Sequence, residues 1–194
     1  LHPDSTPDEW RGALVSAGEE TDRLARLAED LLLLARGEQG AAPREVRAVP
    51  LAPLASRGVA RLGADVELAV DDELRVAADP DAVDRALTNL IDNARRYGAA
   101  PIVVSARADG EWVEIHVADG GEGFAPEYLP RAFERFSRPA GARGGGAGLG
   151  LALVEAVAHA HGGTAGAANA EPGADVWLRL PRAYPKQADG QSFH

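Results

Sequence analysis

Cysteine and methionine are absent from this chain, and lysine occurs once, at Lys186. Without cysteine there is no disulfide framework and no thiolate metal site, and redox chemistry gives no sign of compartment. A lone lysine in that position removes the G-x-x-x-x-G-K-[ST] phosphate loop, and no G-x-G-x-x-G occurs to mark a dinucleotide fold. Long apolar runs are also missing. The longest, "LLLLA" at Leu31 to Ala35, falls far below the roughly 20 residues that span a bilayer, so no membrane contact is expected of this segment. Positive charge is scarce: 20 Lys and Arg stand against 30 Asp and Glu, a net −10 that argues against nucleic acid. Any phosphate the chain binds must be met locally. The 194 residues, 45 % of them hydrophobic, suffice for one main domain with an appendage. The chain opens at Leu1 without a signal-peptide pattern, and the expectation is a fragment of something longer.

"TPDEWRGALVSAGEETDRLARLAEDLLLLARGE" reads as one long helix, with Thr6 as N-cap, Pro7 at the first helical position and Glu9 closing a capping box. Trp10, Leu14, Ala17, Thr21, Leu24, Ala28, Leu31 and Ala35 form a heptad seam, widened by Leu27 and Leu34, which calls for a partner helix or for packing on the chain's own domain. A Gly, Ala and Pro rich linker follows. The remainder predicts strands near 45–49, 66–70, 75–78, 102–108 and 112–118, and helices over 53–62, 80–97 and 149–160. A short helix around 128–136 and a final hairpin ending at Pro181 complete a mixed sheet interleaved with helices. Residues 182–194 read as a disordered tail.

Three stretches carry chemistry. In "NLIDNARRYG", the buried face of the helix is already supplied by Val83, Ala86, Leu87, Leu90, Ile91 and Ala94. Asn89, Asn93, Arg96 and Tyr97 fall at i, i+4, i+7 and i+8 on an adjacent strip, offering amide oxygens for Mg²⁺, a guanidinium for phosphate and a ring for a base. A solvated helix face is the other reading of that strip. In "VEIHVADGGEGF", parity puts Asp119 on the inward side with Val113, Ile115 and Val117, where a carboxylate needs a hydrogen-bond donor such as an adenine amino group. Gly121 and Gly123 let the backbone approach a flat ligand, although a plain tight turn has the same composition. In "RPAGARGGGAGLGLALVEAVAHAHGG", glycines run straight into a helix start and present free N–H groups to an anion; a flexible linker is the alternative.

"NLIDNARRY", "DGGEGF", "FERFSR" and "GAGLGLALV", in this order, resemble the N, G1, F and G2 boxes of sensor histidine kinases of two-component systems. "TDRLARLAEDLLLLAR" resembles the second helix of their dimerisation and phosphotransfer domain. The resemblance implies an α/β fold of the Bergerat type, a two-layer sandwich with three helices on one face of a mixed sheet, preceded by a long helix. It also implies ATP and Mg²⁺ as cofactors. Carried over residue by residue, Asn93 is the metal-binding amide and Asn89 its companion. Arg96 is basic near the phosphates, Tyr97 covers the nucleotide, and Asp119 reads adenine. Gly121 and Gly123 are the G1 glycines; Gly146, Gly148 and Gly150, with Leu149 between the last two, form G2; Arg138 is a phosphate contact.

The implied organisation is a partial dimerisation helix over 1–38 and a catalytic domain over 39–181. The implied activity is γ-phosphoryl transfer to a histidine, for relay to a response regulator. The implied partners are a phosphoacceptor His domain, that regulator and a second copy of the parent, a membrane-anchored bacterial receptor with this portion in the cytoplasm. Two departures stand out. Glu122 occupies a position where the family commonly has proline, and none of His2, His116, His159, His161 and His194 has an acceptor context. The histidines read as surface or packing residues, and the segment as unable to phosphorylate itself alone. Asn89 stands where related ATPases carry a Glu that activates water, which favours transfer over hydrolysis. A non-enzymatic module acting through helix pairing is the alternative.

Overall fold

The computed structural model describes residues 6–38, 43, 45–62, 66–139 and 147–184. Their elements are α1 (Pro7–Glu38), β1 (Arg47–Pro50), α2 (Leu51–Leu62), β2 (Val66–Ala69), β3 (Arg75–Ala78), α3 (Pro80–Tyr97), β4 (Ile102–Asp109), β5 (Trp112–Asp119), α4 (Gly150–Ala160), β6 (Thr164–Asn169) and β7 (Ala174–Pro181). The main sheet has the order β2-β4-β5-β7-β6, with β2 and β4 parallel and the other neighbours antiparallel. β1 and β3 pair separately, joined to the end of β7 by one bridge between Val76 and Arg182. The expected mixed sheet is therefore present, with two of its strands set aside.

Strand alternation builds one face of the core. Val113, Ile115 and Val117 of β5 and Val176, Leu178 and Leu180 of β7 are buried, opposite the apolar stripes of α3 and α4. The start of α3 is firmly made: Asp79 accepts the N–H groups of Asp81 at 3.0 Å and Ala82 at 3.4 Å, and Pro80 opens the helix. Buried His161 adds a second tie. Its Nε2 accepts the Asp79 N–H at 3.0 Å, so Nδ1 carries the proton and donates to the Val157 carbonyl at 2.7 Å. One neutral imidazole thus joins the end of α4 to the cap of α3, a packing role, while His159 is exposed.

Three expectations change. The helix expected at 128–136 is a single 3-10 turn, Leu129–Arg131, because Pro130 lies inside a segment too short to propagate and the following bonds keep three-residue spacing. Residues 182–184, expected in the tail, are held: Arg182 bridges Val76, the Ala183 N–H bonds the Arg75 carbonyl at 2.9 Å and the Tyr184 hydroxyl donates to Glu111 at 3.1 Å, while 185–194 lie outside the described residues. The third concerns α1. Its Thr6 carbonyl accepts the Trp10 N–H at 3.0 Å, as an N-cap should; the Glu9 side chain lies outside the described residues. The heptad seam is not the docked face, since Leu14 and Leu24 are 71 % and 58 % exposed. Leu27, Leu33 and Leu34, on the flank of that seam, pack on the core beside α4, with Leu34 only 2 % exposed. Among the described residues no helix is long and apolar enough to cross a membrane.

The outer sheet face carries an ion network. His116 Nδ1 lies 2.9 Å from Asp175 Oδ2, its ring stacks on Trp177, and Glu114 sits 3.6 Å from Nε2 while taking two bonds from Arg107. The bond to Asp175 raises the imidazole pKa above its ordinary 6.5 despite burial. A raised folded value means stability that is complete below 6.5 and lost as pH climbs through the folded value. Thermal melts across that window should fall with rising pH in the wild type more steeply than in His116→Gln. At Gly98, the C-cap of α3, an added Cβ would overlap the Asp119 carboxyl. Gly98→Ala should cost about 1–3 kcal/mol in urea unfolding, the range for overpacking a filled site.

Candidate functional site

Because α3 spends one stripe on the core, the strip beside it is left facing a cleft of about 810 Å³. The N-terminus of α4, the turn from Tyr128 to Ser137 and the C-terminal half of α1 close the other sides. Asn89, Asn93, Arg96 and Tyr97 all line this cleft, together with Gly148, Leu149 and Gly150. Asn89 Nδ2 donates to the Arg85 carbonyl at 3.0 Å, which turns its oxygen toward α4. A Cβ on residue 150 would stand 3.0 Å from that oxygen, so glycine permits the helix end to approach. The half-buried Asn93 amide has no hydrogen-bond partner among the described residues. Arg96 is held by Asp92, Nε to Oδ2 at 2.8 Å, and Tyr97 is exposed at the rim.

α4 begins without a side-chain cap, and its first turn, Gly150 and Leu151, lines the cleft, so its N-terminal N–H groups and positive dipole end are offered there. Gly148 makes that entry possible. Its φ of +69° is left-handed, its carbonyl accepts the Phe136 N–H at 2.8 Å, and a Cβ there would come within 2.7 Å of the Ser137 carbonyl. Tyr128 lines the opposite wall; burial pushes its phenol pKa up, keeping it a neutral donor, here to the Ser137 carbonyl at 3.4 Å.

Asp119, Gly121 and Gly123 sit one step behind the cleft rather than on its wall. The Asp119 carboxylate does turn inward, against the end of α3, where it accepts the Gly121 N–H at 2.8 Å. Gly121 presses on Gly98, and Gly123 has a φ of +75°. Asn169 clamps this loop by bonding both the N–H and the carbonyl of Phe124, at 2.7 and 2.9 Å. Glu122 and Arg138 are exposed and not part of the cleft wall, although Arg138 directly follows the lining residue Ser137; Gly146 lies outside the described residues.

Several lining residues were not legible as site residues. Arg85 falls four residues before Asn89, so the helical period that found Asn93 also reaches it. Leu27 and Asp30 of α1 line the cleft as well, and no local pattern announces them. Arg85 Nη1 lies 3.6 Å from Asp30 Oδ1, and its Nη2 bonds Glu29. No group of three or more His, Asp or Glu among the described residues is placed to hold a metal. The Asn93 amide oxygen is a hard neutral donor of the kind that Mg²⁺ accepts among its few protein ligands.

The sequence model of the histidine kinase-, DNA gyrase B- and HSP90-like ATPases matches residues 78–184. "Probable sensor histidine kinase HK" of Mycobacterium tuberculosis (strain CDC 1551 / Oshkosh) is 45 % identical over 183 residues, covering 92 % of this chain and 48 % of the relative. Sensor histidine kinase component HK1 of Mycobacterium tuberculosis (strain ATCC 25618 / H37Rv) is 44 % identical over 142 residues, 71 % of this chain and 84 % of its own length. Among solved structures, full-length ShkA in complex with AMPPNP superposes with a TM-score of 0.70 at 31 % identity, over 91 % of this chain and 40 % of that one. The ATP binding domain of PrrB from Mycobacterium tuberculosis gives 0.57 at 31 %, over 71 % and 98 %. The chain thus spans about half the length of the first of these curated relatives. With the Asn89–Tyr97 strip and the glycines before α4 on one cleft, and these likenesses over most of its length, the chain belongs to the histidine kinase-, DNA gyrase B- and HSP90-like ATPase family, among the sensor histidine kinases.

Proposed function

We propose that the cleft binds Mg·ATP and that this chain is the catalytic part of a sensor histidine kinase. The observation that carries the reading is the pairing, across one cleft, of the unpartnered Asn93 amide with the uncapped N-terminus of α4. The Asn93 oxygen would face the metal, with Asn89 beside it, and the first N–H groups of α4 would take phosphate oxygens, as helix N-termini do. Arg96 would approach the phosphates, Tyr97 the nucleoside, and Asp119 the adenine amino group at the far end of α3. When bound, Mg²⁺ supplies neutralisation of the phosphate charge.

The remaining task of the chain's own residues is positioning. Asn89 cannot serve as a base for water, so the γ-phosphoryl group would pass to an imidazole: its bond to the ADP oxygen breaks, a P–N bond forms and the imidazole proton leaves. That imidazole would belong to a phosphoacceptor domain, from which a response regulator receives the group. α1 would be the second helix of the dimerisation domain, over residues 1–38, and 39–181 the catalytic domain. The exposed Leu14, Leu24 and Leu31 suit pairing with a second copy. The parent would be a membrane-anchored receptor with this portion in the cytoplasm.

Calorimetric titration tests the reading. Wild type should bind Mg·ATP, Asp119→Asn should weaken it by at least about tenfold through the mispaired, half-buried amide, and Asn93→Ala should remove the dependence on Mg²⁺. Absence of binding by the wild type at millimolar nucleotide would overturn it. Phosphoryl transfer to a separately supplied acceptor domain is the activity then expected.

A further inference from the structure

Arg85 lies on the strip that carries Asn89 and Asn93, about 6 and 12 Å further toward the N-terminus of α3 at 1.5 Å per residue. A nucleotide whose base lies near Asp119, as proposed above, runs its phosphates in that direction. Arg96 belongs to the near end and is tied to Asp92; Arg61, at the far end, is tied to Asp84 at 2.8 Å. Arg85 is therefore the guanidinium next in line after Asn89. It is not idle: α1 brings Glu29 and Asp30 onto its two amino groups. The Asp30 side chain is only 17 % exposed and forms part of the cleft wall.

We propose that Arg85 is the contact for the terminal phosphate, and that Glu29 and Asp30 compete with that phosphate for it, so that Arg85 sets preference for a triphosphate over a diphosphate and couples it to the docking of α1. The inference rests on the nucleotide reading of the cleft. Its physical basis is anion exchange at one fork-shaped cation. A guanidinium bonds carboxylate and phosphate by the same geometry, so it cannot serve both fully. With α1 docked, Asp30, Asp81 and Asp84 also set negative charge around the far end of the cleft, which a third phosphate must enter. A diphosphate stops short of this end. Coupling is reciprocal: whatever factor docked α1 takes from triphosphate affinity, bound triphosphate takes from the docking of α1. Among the described residues the grip to be loosened includes these two ion pairs, the packing of Leu27, Leu33 and Leu34 and a 3.4 Å bond from Arg135 to the Leu34 carbonyl.

The test is titration of the full chain with Mg·ADP and with a non-hydrolysable Mg·ATP analogue. Glu29→Gln with Asp30→Asn should tighten the triphosphate by about five- to tenfold and leave the diphosphate within about twofold, the scale of a few surface charge contacts. Arg85→Ala should erase the difference between the two ligands, and in that background the α1 changes should no longer separate them. In the unaltered protein, amide hydrogen exchange across residues 24–34 should rise with the triphosphate and not with the diphosphate. Equal effects on both ligands, or exchange indifferent to the third phosphate, would overturn the role of Arg85 while diphosphate binding left the site itself standing. Failure of the wild type to bind either ligand would overturn both.

Discussion

Everything at the site depends on how α3 is seated. Its apolar stripe, from Val83 through Leu90 and Ile91 to Ala94, is fully buried against the sheet and α4. Each large side chain in it contributes about 1.5–3 kcal/mol of burial relative to exposure. Rotating the helix by one residue, about 100° at 3.6 residues per turn, would expose that stripe. The helix therefore has one stable orientation, and the polar strip of Arg85, Asn89, Asn93 and Arg96 has no choice of direction. Asp79 and His161 fix the other degree of freedom, the position of the helix along its own axis. An unremarkable hydrophobic requirement thus sets the aim of the polar groups.

Close backbone approach does the rest. α4 can bring its uncapped end beside Asn89 because residues 148 and 150 are glycines, and Asp119 can tuck under the end of α3 because residue 98 is one. At each of these places a side chain would occupy space that a ligand-binding group or a backbone carbonyl already uses. The cleft is thereby lined on one side by amides and guanidinium groups and on another by backbone N–H groups. An acidic protein can in this way present a local surface that favours phosphate without any basic patch.

How much of this is legible in the amino-acid sequence follows from the range of each signal. Helical period identifies Asn89 and Asn93 as neighbours, strand parity turns Asp119 inward, and glycine spacing marks the entry to α4; all are local. The choice of docked face on α1 is not. Two adjacent stripes are apolar, and the domain takes Leu27 and Leu34 rather than the heptad seam, because the surface of α4 and the carboxylate partners of Arg85 decide the matter. The loop clamp by Asn169 and the meeting of α1 with the cleft are likewise tertiary, joining residues 45 and about 56 positions apart. The 3-10 turn at Leu129 was concealed by Pro130, whose presence suits a helix start as well as a helix interruption.

Where a nucleotide sits decides whether α3 and α4 form a binding site. A map of backbone amide NMR shifts on adding Mg²⁺ with a non-hydrolysable ATP analogue reads this directly. The largest changes should fall on residues 85–98, 119–124 and 147–152, with the sheet's outer face around His116 and Trp177 undisturbed. Changes centred elsewhere, or none across α3, would contradict the assignment of the cleft.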